Sequence, residues 1–101
     1  MSESLRPLGK VSEIVESVAL EVTHVYDDLV FVLHNPFLIQ FTDTLGVIKI
    51  FFNKDIDPAR EKELEITLGE EAKNRELLLE RAGHYEMEQV EGQEEFTINF
   101  F

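Results

Sequence analysis

The sequence predicts an α+β fold in which an antiparallel sheet of five or six strands, a meander followed by a C-terminal hairpin, carries two helices packed on one face. Three observations support this prediction. Apolar runs of strand length fill residues 29–52, apolar residues recur with helical spacing in two other segments, and the last part of the chain alternates around a glycine. The chain has 101 residues, a common size for one domain, and its 44% hydrophobic content suffices for one core.

The first element is predicted to be a helix over about residues 12–25, with Ser12 as its N-cap. Its apolar residues recur at steps of three and four along one stripe: Val11, Ile14, Val15, Val18, Val22 and Val25. Against this, Val18, Leu20 and Val22 also alternate, and β-branched residues favour strands. Residues 1–10 show no periodicity, so we expect a flexible N-terminal leader there and a single α+β domain over 11–101.

Three strands follow, and short breaks separate them. The first is the apolar run "LVFVLH" of residues 29–34. In "FLIQFT" and "VIKIFF", one face carries Phe37, Ile39 and Phe41 and then Ile48, Ile50 and Phe52, while the other carries Leu38 and then Val47, Lys49 and Phe51. Asn35-Pro36 marks a turn, because proline fixes its own φ and disfavours a helical conformation before it. We therefore expect an antiparallel meander.

Residues 58–68 allow two interpretations. Asp57-Pro58 is a typical helix start, and one long helix would place Leu64, Leu68, Ala72 and Leu79 together. Alternatively, Leu64, Ile66 and Leu68 form one face of a strand, and Thr67 and Glu70 form the capping box of a later helix. Because a glycine at position 69 weakens a long helix, we predict a strand at about 62–67 and a helix at about 68–82 that ends at Gly83.

The C-terminal segment is predicted to be a hairpin around a Glu91-Gly92-Gln93 turn. Its inward residues alternate: Tyr85, Met87, Phe96, Ile98 and Phe100. The order helix, strands, helix and two strands in a small acidic chain is similar to that of the type III secretion chaperones, and this resemblance implies a binder of a protein partner. The chain departs from that family by ending in a strand where a third helix is expected.

Charge and cysteine content narrow the classes of function. A formal net charge of −12 repels phosphates, so we expect binding neither to nucleic acid nor to anionic membranes, whereas a basic protein partner would be attracted. The chain has no cysteine, which excludes disulfides, thiolate nucleophiles and cysteine-ligated metals. It also shows no signal-peptide core and no apolar run of membrane length, so we expect a soluble, cytoplasmic protein.

The sequence lacks the common motifs for catalysis and cofactor binding. No glycine-rich phosphate loop and no G-x-S-x-G motif occurs. Residues 53–57 begin like a calcium-binding EF-hand loop, but Pro58 replaces the required glycine and Leu64 replaces the required glutamate. The three histidines never form a close pair. We therefore predict no catalytic residue, no cofactor and no metal ligand.

Two sets of residues remain as candidates for function. Val47, Lys49, Phe51 and Phe101 give the outer sheet face a mixed character, which suggests a covered surface. The cover is either a helix of the chain itself or an interface with a protein partner or with a second copy in a homodimer. The favoured hypothesis is thus a non-enzymatic interaction or adaptor module. The alternative is a small-molecule-binding or enzymatic domain with an apolar pocket between sheet and helices, in which Tyr26, His34 and Tyr85 supply polar groups.

Overall fold

The computed structural model describes residues 7–89 and 96–100. Two helices and six strands make up this part of the chain. In order they are α1 (Leu8–Glu16), β1 (Val22–Tyr26), β2 (Leu29–Val32), β3 (Phe37–Phe41), β4 (Val47–Asn53), α2 (Pro58–Asn74), β5 (Leu78–Gln89) and β6 (Phe96–Phe100).

The six strands form one sheet in the order β1-β2-β3-β4-β5-β6. Neighbouring strands are antiparallel except β4 and β5, which are parallel and are connected through α2. The predicted α+β fold, with six strands and both helices on one face, is confirmed. The sheet is mixed because α2 returns the chain to the end at which β4 began, as a parallel connection requires.

The N-terminal helix is shorter and begins earlier than predicted. It covers Leu8–Glu16 rather than 12–25, so residues 8–10, which the sequence assigned to the leader, are helical. Of the alternating residues Val18, Leu20 and Val22, only Val22 lies in β1, where it pairs with Val32 of β2. The sequence pattern suited both a helix and a strand here, and pairing with β2 favoured the strand.

The interpretation preferred for residues 58–68 was wrong. A single helix, α2, begins at Pro58, and the Asp57 side chain accepts a hydrogen bond from the Ala59 N–H at 2.8 Å. The predicted strand at 62–67 lies inside this helix, and the predicted helix at 68–82 ends at Asn74. Leu64, Leu68 and Ala72 form a buried stripe on it, and this packing outweighs the cost of Gly69.

Residues 78–83, predicted as helix, instead begin the long strand β5. The register with β4 pairs Ile50 with Arg81 and Phe51 with Gly83, so Ala82 is an extra residue at a β-bulge. Gly83 has a φ of 144°, which residues with a Cβ rarely adopt. The glycine that the sequence placed at a helix end therefore serves a bend within a strand.

The main core lies between the sheet and the two helices. Alternate residues of the strands meet the buried stripes of α1 and α2 there, as the period of two in the sequence predicted. Its members include Val11, Ile14 and Val15 of α1, Leu64, Leu68 and Ala72 of α2, and Val30, Val32, Phe37, Ile39, Phe41, Ile48, Ile50 and Phe52 of the sheet.

A second, smaller core lies on the opposite face of the sheet, which we call the second face. Phe31, Leu38 and Tyr85 are buried there, and Met87 and Ile98 pack against them. No residue of α1 or α2 belongs to this cluster among the described residues. The sheet is curled, so the β5–β6 hairpin covers side chains that no helix reaches.

The C-terminal hairpin was predicted correctly as a pair of strands. Tyr85 pairs with Phe100 and Met87 pairs with Ile98. Tyr85, Met87 and Ile98 face the second core rather than the helices, because the Ala82 bulge changes the alternation of β5. The predicted turn at 91–93 and Phe101 lie outside the described residues.

Both helices end in the same motif without the glycine that usually forms it. After α2, the Leu77 N–H bonds to the Ala72 carbonyl and the Glu76 N–H to the Lys73 carbonyl, which is the Schellman pattern. Glu76 occupies its left-handed position with a φ of 62°, and Ala19 takes the same conformation after α1. An L-residue with a Cβ loses stability in this conformation.

Replacing Glu76 by glycine should therefore stabilise the protein. We expect Glu76→Gly to raise the free energy of unfolding by about 0.5–1 kcal/mol, because it removes the strain of a Cβ at positive φ. Urea denaturation measures this change. Glu63→Gly, which removes the same charge from an exposed helical position, should lower it by about 1 kcal/mol. A destabilised Glu76→Gly variant would contradict the strain at this position.

Candidate functional site

The strand register places the side chains of the second face in rows across the sheet. One row contains His24, Phe31, Leu38, Phe51 and Gly83 of β1 to β5. The rings of His24 and Phe31 are stacked at 4.3 Å. This row is apolar except for its outermost residue, so it forms the base of the second core.

The neighbouring row is more polar. It contains Tyr26, Leu29, Gln40, Lys49 and Glu80. The Gln40 amide donates a hydrogen bond to the Asp28 carboxylate at 2.9 Å. Lys49 and Glu80 are direct neighbours on adjacent strands, a favourable arrangement for opposite charges. The polar row lies between the second core and an apolar pair that consists of Val47 in β4 and Leu78 in β5.

Val47, a predicted interface residue, pairs with Leu78 where β4 and β5 begin. Val47, Lys49 and Phe51 are all half-buried. The ring of Phe51 lies 4.5 Å from that of Phe100, so β6 covers part of it.

Two further apolar side chains of this face, one beside Val47 and one beside Phe51, are exposed. Leu78 is 57% exposed and Phe100 is 44% exposed. Together with Val47 and Phe51 they form a line of two apolar pairs, Val47–Leu78 and Phe51–Phe100, with Lys49 and Glu80 between the pairs. We call these four apolar residues the second-face strip. The sequence analysis placed Leu78 in a helix and Phe100 in the core, so it missed both, and only the register of β5 reveals them.

Tyr85, a predicted pocket residue, is fully buried in the second core. Its hydroxyl donates a hydrogen bond to the Asn35 carbonyl at 2.7 Å, and the Asn53 amide donates to the same oxygen at 3.0 Å. Burial raises the pKa of Tyr85 to about 12, although a hydrogen bond with Asn53 acts in the opposite direction. The hydroxyl therefore stays protonated at neutral pH and anchors the β2–β3 turn to the second core.

The three predicted pocket residues do not line one pocket. Tyr26 is 72% exposed at the end of β1 that is remote from the β2–β3 turn. His34 lies in that turn with a φ of 66°, next to the residue that Tyr85 contacts. Fully buried side chains of the main core lie between the sheet and the helices, where the pocket was expected.

A depression does occur beside the β2–β3 turn. It has a volume of about 330 Å³, and its apolar wall is formed by Leu20, Pro36 and Ile56. His34, Asn35, Asn53, Asp55 and Arg60 complete its lining. The Asn53 amide is already committed to the Asn35 carbonyl, and its side-chain oxygen accepts from the Asp55 N–H. These contacts hold the turn and the β4–α2 loop together.

A charged network connects α2 to β5. The Glu61 carboxylate accepts a hydrogen bond from Arg81 at 2.8 Å and contacts His84 at 2.5 Å, and Arg81 also donates a hydrogen bond to Glu65. Burial acts to raise the pKa of Glu61, but the hydrogen bonds and charges of Arg81 and His84 outweigh it, so that the pKa is lowered. The Arg81 guanidinium also lies over the Phe52 ring. No sequence motif indicated this network, because the residues that pair in it are 16 to 23 positions apart in the chain.

Within residues 7–89 and 96–100, no three histidine, aspartate or glutamate side chains converge as metal ligands would. Neither helix of these residues has the length and apolar content needed to cross a bilayer. In comparisons with protein-family models, curated proteins and solved structures, no match to this chain was found.

The second core should contribute strongly to stability although no helix covers it. Leu38→Ala is expected to lower the free energy of unfolding by about 2–5 kcal/mol, because it leaves a cavity at a fully buried position. Leu78→Ala, on the same face but exposed, should change it by less than about 0.5 kcal/mol. Chemical denaturation of both variants measures this difference. If both variants changed the free energy of unfolding equally little, Leu38 would not be buried in a packed second core.

The Glu61 network predicts a specific pH dependence. Because the folded pKa of Glu61 is lowered, its contribution to stability is present above the unfolded pKa and is lost as the pH falls through the folded value. Glu61→Gln should therefore destabilise the protein at pH 7, and the gap to wild type should shrink towards about pH 3. Urea titrations at both pH values measure the gap, with the exposed Glu63→Gln variant as control. A gap that does not change with pH would contradict this role.

Proposed function

We propose that this protein is a non-enzymatic interaction module, or adaptor, that binds a basic protein partner through the second-face strip. The observation that carries the proposal is the position of Leu78 and Phe100. They lie on a sheet face that neither α1 nor α2 covers and remain 57% and 44% exposed beside half-buried apolar neighbours. Exposed apolar groups arranged in a line on a rigid sheet are typical of protein-binding surfaces.

The rigidity of the strip supports binding by a preformed surface. Val47 and Phe51 belong to β4, which pairs with a strand on each side. Leu78 is held by the β5 ladder and by a hydrogen bond of 2.7 Å from its N–H to the Gly46 carbonyl. Because these positions are already ordered, a partner would lose little entropy of this chain on binding.

Charge supports a basic partner. The net charge of −12 creates a negative field that accelerates encounter with a positively charged surface and repels an acidic one. The second-face strip would then supply the contact area, while the surrounding carboxylates would favour a partner with a positive charge. A chaperone that holds a basic client protein is one form of such a module, and the cytoplasm is the compartment that we propose for it.

Capture experiments with two matched variants test this function. Leu78→Lys places a charge in the strip, whereas Ile66→Lys places the same charge on an exposed aliphatic position of α2. Wild type and both variants are immobilised, exposed to lysate of the native cells at low and high salt, and the bound proteins are identified. The identified partner is then purified and its affinity for each form is measured.

We expect wild type and Ile66→Lys to bind the same basic protein, and Leu78→Lys to lose at least about tenfold in affinity because a desolvated charge replaces an apolar contact. Binding should weaken as salt increases. Sets of bound proteins that do not differ between wild type and Leu78→Lys would contradict the proposal. A sedimentation measurement that showed only self-association would replace the basic partner by a second copy of the chain.

A further inference from the structure

β5 is more than twice as long as the strand at its outer side. It has 12 residues, and β6 has five. On its inner side, β4 pairs with β5 from Leu78 to Tyr85. On its outer side, β6 pairs only from Tyr85 to Gln89. Within the part of the chain that the structure describes, residues 78–83 thus have a strand on one side only, and we call their outer side the open edge.

The open edge is long enough for a further strand. Its regular part, residues 78–81, extends for about 13 Å, which is within the range of a short strand, and the Ala82 bulge and Gly83 continue the edge with a bend. Because successive residues of a strand direct their backbone groups to alternate sides, about three residues present N–H and C=O groups outward here. Unpaired groups of this kind are a template for strand addition. No proline blocks the stretch "LLERAG".

We infer that this open edge binds an extended, basic segment of the partner protein, which adds to the sheet in line with β6. The inference rests on the proposed function, and it specifies the conformation of the partner and the atoms that hold it. Main-chain hydrogen bonds would supply much of the affinity, and the side chains beside the edge would select the sequence.

The side chains at the edge indicate which sequence fits. Leu78 and Glu80 are both exposed and share the second face. An added strand would place an apolar residue beside Leu78 and a lysine or arginine beside Glu80, since residues opposite each other in a sheet are in contact. On the helix-covered face, Arg81 is already bound by Glu61 and Glu65, so it leaves no unpaired positive charge to repel a basic segment.

A second copy of the chain is a poorer occupant than a basic segment. Two copies would each carry a net charge of −12 and would repel one another over the Debye length. A segment rich in lysine or arginine reduces that charge and contacts Glu80 directly. The edge therefore combines a main-chain template with a preference for positive charge.

A model peptide tests the inference directly. The probe is a fluorescein-labelled peptide of about eight residues in which lysine and valine alternate, and its Kd is measured by fluorescence anisotropy. Two control peptides have glutamate in place of lysine, or N-methyl groups that remove alternate backbone donors. Amide hydrogen exchange, measured on the full chain with and without the lysine peptide, locates the bound segment.

We expect the lysine peptide to slow exchange at outward-facing amides of residues 78–83 by at least about tenfold, and both control peptides to give no such protection. Glu80→Lys should raise the Kd of the lysine peptide at least about tenfold, because it reverses the charge that selects a basic segment. Glu70→Lys, which makes the same reversal on an exposed part of α2, should change it less than about threefold.

Three results would overturn the inference. They are an unchanged exchange rate at 78–83, equal binding of the N-methylated peptide, and equal effects of the two charge reversals. If one of these occurs while partner capture still depends on Leu78, strand addition is wrong and the interaction module remains. If capture also fails to depend on Leu78, the proposed function is wrong as well. A dimer that pairs through residues 78–83 would assign the open edge to a second copy instead.

Discussion

The structure depends on one constraint: its sheet has two apolar faces, and both helices lie on the same one. Val30, Ile39 and Ile50 meet the helices, while Phe31 and Leu38, their direct neighbours in the chain, point the other way. A flat sheet would leave that second set in water at a cost of about 25 cal/mol for each Å². Curling of the sheet removes this cost, because the β5–β6 hairpin then covers Leu38 and Phe31.

β5 makes the curl possible because its two halves serve different cores. Its first half pairs with β4 and faces α2, and its second half carries β6 beyond the end of β4. The Ala82 bulge and the unusual φ of Gly83 lie between the halves, where the strand must bend. The hairpin reaches Phe51 and leaves the end of the sheet at Val47 and Leu78 uncovered. The exposed strip and the open edge thus have the same structural origin.

Three of the nine lysines and arginines of this acidic chain connect its elements. Arg75 joins α2 to α1 through Glu13, Arg81 joins β5 to α2 through Glu61 and Glu65, and Lys54 after β4 contacts Glu86 of β5. Surface pairs of this kind add little stability individually, but they place positive charge at the junctions between elements. The remaining surface keeps its negative character, and this character determines which partners the protein can attract.

The sequence by itself determined the class of fold, the strands of residues 29–52 with their two faces, the C-terminal hairpin and the sign of the charge. These features follow from local periodicity and composition, which one stretch of chain contains completely. Only the tertiary structure decided that Val22–Tyr26 is a strand, that α2 begins at Asp57-Pro58 and continues through Gly69, and that residues 78–83 extend beside β4. Their local patterns suited both helix and strand, and the choice depended on contacts with distant partners. The second-face strip and the open edge belong to this group, because both arise from the register of strands that are far apart in the chain.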